Sequence, residues 1–398
     1  MSVTNATIRA ANRLTARWAD ETSDGTVFSA TGAWPLLAFL ADGAGGTARV
    51  ELADAVGIAA DESAFAAREL LRAMGSMPGL DVALGLWTKR TLELRDEWTA
   101  GLPTSAHGVL TGDPVADKGT LDAWAAKRTG GLIEEMPVPL TADTELVLAS
   151  ALALRTNWLR PFVERLWMPE NGPWRGQELL GLSRRSALLD RVGVADTSAG
   201  HVTELKVLGD NAIDVHLLLG EEGMTPGQVL GAGVDVLAGH PVASGPRLPY
   251  GEVGPGLRVV KERAARPRPP TLDVMTLAYE VRASHDLLDH HEVFGLTTAR
   301  RNQLPGHFPG VSDFPLYVEG ARQSAMARFG ARGFEAAAVT AFGMVGAGIP
   351  QLRWQNTTIE ATFDRPFGFL AVHRHTRLVL AAGWVTDPEP YREDEGDY

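Results

Sequence analysis

The side chains able to do chemistry gather in few places. His285, His290, His291 and Glu292 lie within HDLLDHHE, and His373 and His375 are two residues apart. Imidazole and carboxylate are donors that zinc accepts, and a site needs three or four of them on one centre. Neither group has the companion motif that would complete such a centre. HDLLDHHE therefore reads as a solvated helix face, and the His373 and His375 pair, on one face of a strand, as a surface hairpin end. No metal is expected. A serine with one of the ten histidines could form a hydrolase pair. However, the chain has no Gly-x-Ser-x-Gly elbow, Walker loop or HExxH, so an enzyme reading has little support. Gly43, Gly45 and Gly46 in DGAGGT follow no strand, and no cofactor is expected either. The absence of cysteine excludes thiol nucleophiles, thiolate metal sites and disulfides.

One further segment stands out by composition. GFEAAAVTAFGMVGAG, residues 333–348, is a run of small residues bracketed by glycines. Taken alone it reads as a buried helix, since alanine is the best helix former. Taken as a strand of period two, it puts Phe334, Ala336, Ala338, Thr340 and Phe342 on one face. Its only charge, Glu335, then lies on the other face with Ala337, Val339, Ala341 and Gly343. Small side chains, one-sided charge and no proline are what a segment needs if it is to leave a surface and become a central strand.

The rest of the chain must position these groups. With 398 residues and 45% apolar content it can bury a sizeable core. A net charge of −12 without a basic stripe argues against nucleic-acid binding. No apolar run approaches the roughly 18 residues needed to cross a bilayer. The start, MSVTNATIRAANRLTARWAD, reads as an amphipathic helix over 6–19 without the apolar stretch of a secretory signal. Helices also follow at TGAWPLLAFLADGAGG and at TARVELADAVG, where Thr47 with Glu51 four residues on suggests an N-terminal cap. DVALGLWTKR is a strand, TLDAWAAKRTGG a helix stopped by Gly130 and Gly131, and Leu146 to Leu154 a strand buried on both faces, although periodicity alone permits a buried helix there. TELKVL, AIDVHLLL, QSAMARF, TIEATF, FGFLAVH and LVLAAGWV are further strands, and the Pro- and Gly-rich stretch 241–270 reads as a loop. Helices first and strands later give an α+β class.

Four segments carry a resemblance to the serpin family that spans nearly the whole chain. FSATGAWPLLAFLADGAGGTA (28–48) resembles the family's Phe-Ser-Pro opening and its buried helix. AWAAKRTGGLIEEM (123–136) resembles the helix across the main sheet, and TELVLASALALRTNWLRPF (144–162) the central strand that follows it. FDRPFGFLAVHRHTRLVLAAGWVTDP (363–388) is similar to the C-terminal signature, with Arg365, Pro366, Phe367 and Gly383 in place.

The resemblance implies a single serpin domain over 1–388, with a large mainly antiparallel central sheet, a second sheet, an exposed reactive-centre loop at about 333–355, and an acidic disordered tail over 389–398. It implies an inhibitor rather than a catalyst, acting as a suicide substrate whose loop inserts into the central sheet after cleavage. The partner is then a serine protease held as a covalent acyl complex, and the chain a monomer. The hinge maps to Gly333, Phe334, Glu335, Ala336, Ala337, Ala338, Val339 and Thr340. The scissile bond maps to Ala347 and Gly348, whose small apolar setting suits an elastase- or subtilisin-like enzyme; Arg353 and Trp354 offer a trypsin-like alternative. The sheet-opening cluster maps to Ser29, Gly32, Ser150 and Gln323, where the family has a second Ser, an Asn and a His in the last three places. Trp158 falls beneath the point of loop entry. Phe334 stands where the family has a small Thr or Ser, and such a ring could block entry. The alternative is therefore a non-inhibitory serpin-fold binding protein. Family members are often extracellular, whereas the lack of a visible signal leaves a cytoplasmic alternative.

Overall fold

The computed structural model describes residues 3–103, 107–334 and 354–392. Its helices are α1 (Asn5–Asp20), α2 (Ala30–Gly43), α3 (Gly46–Val56), α4 (Ala60–Met74), α5 (Asp96–Gly101), α6 (Pro114–Thr129) and α7 (Pro226–Ala238). The ends of α1, α2 and α6 follow the sequence signals. Thr4 and Ser29 cap α1 and α2, and Asp113 accepts from Val115 and Ala116 ahead of Pro114. Gly130, at φ 62°, closes α6 in the left-handed conformation. The cap expected at Thr47 does not form. Gly45 precedes α3 with no side-chain cap, and Glu51 instead accepts from the amide and hydroxyl of Thr298 at 2.7 and 2.8 Å. A tertiary partner outcompetes the local one.

Three sheets follow. The first runs β1 (Thr26–Phe28), β20 (Leu378–Val385), β19 (Phe367–His373), β10 (Ile213–Gly220), β9 (Gly200–Val207), β8 (Val192–Thr197) and β11 (Val242–Ser244), antiparallel throughout. The second runs β12 (Gly251–Gly254), β13 (Leu257–Ala264), β18 (Trp354–Thr362), β14 (Thr271–Leu277), β7 (Leu179–Ser186) and β6 (Val163–Trp167). The stretch 241–270, expected to be a loop, thus contains β11 and the β12–β13 hairpin. Its prolines sit outside β13, and their density hid the strand LRVVKERA that pairs along β18.

The main sheet runs β3 (His107–Leu110), β2 (Leu80–Lys89), β4 (Leu146–Leu154), β16 (Gly320–Phe329), β17 (Gly333–Phe334) and β5 (Thr156–Asn157), with β15 (Tyr279–Asp286) on the other edge of β16. All of β4 is buried, because both faces are covered. Leu146, Leu148, Leu152 and Leu154 join the large central core, while Val147, Ala149 and Ala151 pack with Trp87, Leu121 and Ala125 beneath α6.

HDLLDHHE is not a helix face; it starts in β15 and continues into turns. Likewise His375 belongs to the turn between β19 and β20, not to a strand. Residues counted with the tail also pair with the body, since Leu180 donates to the Glu389 carbonyl and Tyr391 to that of Glu178.

Candidate functional site: the seam of the main sheet

β4 and β16 run parallel and pair from Val147 with Gly320 to Leu152 with Ala325. Most central neighbours in this sheet are antiparallel, so the parallel pair marks where two distant segments of chain have closed upon each other. Three buried polar residues fasten it from below. Gln323 of β16 donates to the Ser150 hydroxyl on β4 at 3.1 Å and to the Ser29 carbonyl at 2.8 Å. Its side-chain oxygen accepts from the Ser29 amide at 2.7 Å. The Ser29 hydroxyl accepts from Gly32 at 3.0 Å and donates to Leu380 at 2.7 Å. The residues expected at the sheet-opening cluster, Ser29, Gly32, Ser150 and Gln323, are thus one hydrogen-bonded unit joining β4, β16, α2 and β20.

Replacing Gln323 with Leu keeps the volume but strands the Ser29 amide and the Ser150 hydroxyl. Each unsatisfied buried group costs about 1–3 kcal/mol. Gln323→Leu is therefore expected to lose on the order of 3 kcal/mol, seen as a lower denaturant midpoint at unchanged slope.

Above Leu152 the seam splits. β17 fills the gap, with Phe334 opposite Phe329 on one side and Thr156 on the other. Gly333 lies opposite Asn157, where a Cβ would stand 2.3 Å from the Thr156 carbonyl oxygen; only glycine fits. Phe334 is 2% exposed and its ring sits 6.1 Å from Phe369 of β19. The bulky ring is therefore already inside the sheet's core face. Trp158 braces the turn below it: the indole donates to Gly330 at 2.9 Å, the amide to Arg332 at 2.8 Å, and the ring packs 4.9 Å from Phe329.

Glu335, Ala336, Ala337, Ala338, Val339, Thr340, Ala347, Gly348 and Arg353 lie outside the described residues. Trp354 opens β18, opposite Ala264 and 51% exposed. Thr156 and Phe329, the residues that flank Phe334, were not singled out from sequence. The break in the apolar run at Arg155, just before Trp158, was the available signal.

The histidines part company. His285 donates to the Val27 carbonyl at 2.9 Å and packs edge-on against Trp18, with burial holding its pKa below the usual value. His290 lies 3.6 Å from Glu21, and His291 2.8 Å from the Thr297 hydroxyl. Among the described residues, no group of three or more such side chains is placed to hold a metal.

A family model described as serpin, a serine protease inhibitor, matches residues 5–171 and 279–388. A putative serpin-Z6C of Oryza sativa subsp. japonica is 24% identical over 389 residues, covering 91% of this chain and 90% of that protein. Among solved structures, a thyroxine-binding globulin complex with thyroxine superposes with a TM-score of 0.71 at 17% identity, over 96% of this chain and 99% of that one. Native protease nexin-1 with heparin gives 0.71 at 16%, over 97% and 100%. The family match takes in the seam strands β4 and β16, the short strand at Gly333 and the C-terminal strands, and this cysteine-free chain belongs to the serpin family.

Proposed function

We propose that the chain inhibits a serine-type protease as a suicide substrate. The attacking serine oxygen adds to the Ala347 carbonyl carbon, the Ala347–Gly348 C–N bond breaks, and the Gly348 amine leaves carrying a proton. An ester joins Ala347 to the protease, and residues 335 onward then enter the seam between β4 and β16, dragging the enzyme with them.

The register of β17 carries this reading. Phe334 is opposite Phe329 and Thr156, both antiparallel, so each two-residue step moves one step down β16 and β4. Ala336 then falls opposite Ala327 and Leu154, Ala338 opposite Ala325 and Leu152, and Thr340 opposite Gln323 and Ser150. The two neighbours' registers agree at each step. Thr340, the one polar residue on the inner face, thus meets the one polar pair in the seam. Opening that pair widens the β4–β16 spacing from about 4.8 Å to about twice that, and Thr340 offers a hydroxyl to replace the lost bond. Roughly ten residues each gaining a net hydrogen bond of about 0.5–1.5 kcal/mol would release on the order of 5–15 kcal/mol, comparable to the stability of a domain.

Small apolar residues around Ala347 favour an elastase- or subtilisin-like target. The Arg353–Trp354 bond is the weaker choice, because Trp354 is already held in the β13–β18 ladder, leaving little free chain for a protease cleft. The second reading, a binding protein whose loop stays out, draws on the Ser150–Gln323 bond that closes the seam.

Incubation with elastase, subtilisin and trypsin separately distinguishes them. The expected result is a denaturation-resistant band at the summed mass, a released fragment beginning at Gly348, and a higher melting temperature after cleavage. Clean cleavage with no complex and no gain in melting temperature would overturn inhibition in favour of the second reading.

A further inference from the structure

A pocket of about 170 Å³ lies between the second sheet and the edge of the first, just beyond Trp158. Its walls are apolar: Leu159, Leu188, Leu208, Leu272 and Val274, with Leu159 and Leu188 exposed. Four cations line it as well, Arg160, Arg184, Arg191 and Lys206. Among the described residues, carboxylates answer two of them. Asp190 lies 3.3 Å from Arg191, and Glu204 lies 3.2 Å from Lys206 while also bonding His216 at 2.7 Å. Among the described residues, no carboxylate ion-pairs with Arg160 or Arg184. Arg184 is fixed by donating to the Arg160 carbonyl at 2.8 Å and by lying 4.2 Å over the Phe162 ring. The buried Nε of Arg191 has no hydrogen-bond partner among the described residues.

An excess of fixed positive charge, an unmatched buried donor and an apolar wall together describe a site for an amphipathic anion. We infer that this pocket binds a small organic monoanion, with a carboxylate among Arg160, Arg184 and Arg191 and a short apolar body against the leucines. Burial, and then repulsion from Arg160 and Arg191, already lowers the Arg184 pKa to about 10, a strain that an anion would relieve. The volume falls below the 300–1,000 Å³ typical of drug-sized ligands, which limits the occupant to a short chain or a single ring. The pocket is formed in the uncleaved chain and does not depend on loop insertion.

Octanoate is a suitable probe, followed by calorimetry on the intact protein. One saturable site with a Kd at or below about 1 mM is expected, and n-octanol should bind at least tenfold more weakly. Arg160→Met, at an exposed position, is expected to weaken octanoate by about tenfold without changing the melting temperature of the free protein. Arg184→Met gives a second reading. Absence of saturable binding, octanol binding as tightly as octanoate, or unchanged affinity in both variants would overturn the assignment.

Discussion

Thr340→Arg is expected to turn the proposed inhibitor into an ordinary substrate. In the proposed inserted state, the β17 register continued along the chain would bring residue 340 opposite Ser150 and Gln323. Those neighbours are buried, and their hydrogen-bond partners among the described residues are Ser29 and each other, not a carboxylate. An uncompensated guanidinium there costs several kcal/mol, a large share of the roughly 5–15 kcal/mol that drives insertion. Insertion should therefore stop after about three of the inward steps, before the protease has been displaced. The acyl ester then hydrolyses normally. On denaturing gels the stable complex should fall at least tenfold, while loop cleavage proceeds at the wild-type rate. Thr340→Val separates charge from shape. It should still insert and form complex, with the heat-stability gain reduced by about 1 kcal/mol for the missing hydroxyl bond. Wild-type complex formation by Thr340→Arg would mean that insertion follows another register or does not occur.

Much of the architecture was legible because its strands are buried on both faces and write themselves as unbroken apolar text. Leu146–Leu154 and Leu378–Val385 are the clearest cases, every position being buried. The helix stop at Gly130 follows local rules, whereas α6 begins at Pro114, six residues before the TLDAWAAKRTGG segment that reads as helical. What misled were features decided by distant partners. Glu51 caps nothing in its own helix because Thr298, far along the chain, offers two donors. β13 is half-exposed and charged, KERA included, so nothing in its apolar content announces a strand; β18 recruits it by backbone pairing. The seam residues show both sides of this. Ser150 and Gln323 were reached through resemblance, yet their pairing depends on a parallel register that no local pattern encodes. The same limit concealed the cationic pocket, whose four positive residues come from separate segments: Arg160 between β5 and β6, Arg184 on β7, Arg191 before β8 and Lys206 on β9.

The sequence left open whether Phe334 obstructs insertion, and its position argues for an anchor. The ring is already between Phe329 and Thr156 and against Phe369 before any cleavage, so entry past that point requires no further passage of the Phe334 ring, and the next inward aromatic is Phe342. Its burial is common to the uncleaved and inserted states. Phe334→Ala should therefore weaken both, by about 3–5 kcal/mol when a fully packed ring is removed. Because the loss is shared, the increase in melting temperature on cleavage should stay nearly constant, although both transitions move down. The uncleaved form has a further route to relax, since the described part of β17, Gly333 and Phe334, can leave the gap beside Trp158. Hydrogen exchange at Phe334 and Trp158 should consequently accelerate by more than tenfold in the uncleaved variant, with the far end of the seam at Val147 unchanged. An obstacle predicts the reverse pattern. Phe334→Thr would then form more protease complex than wild type and show a larger stability gain on cleavage, and that outcome would remove the anchor from the mechanism.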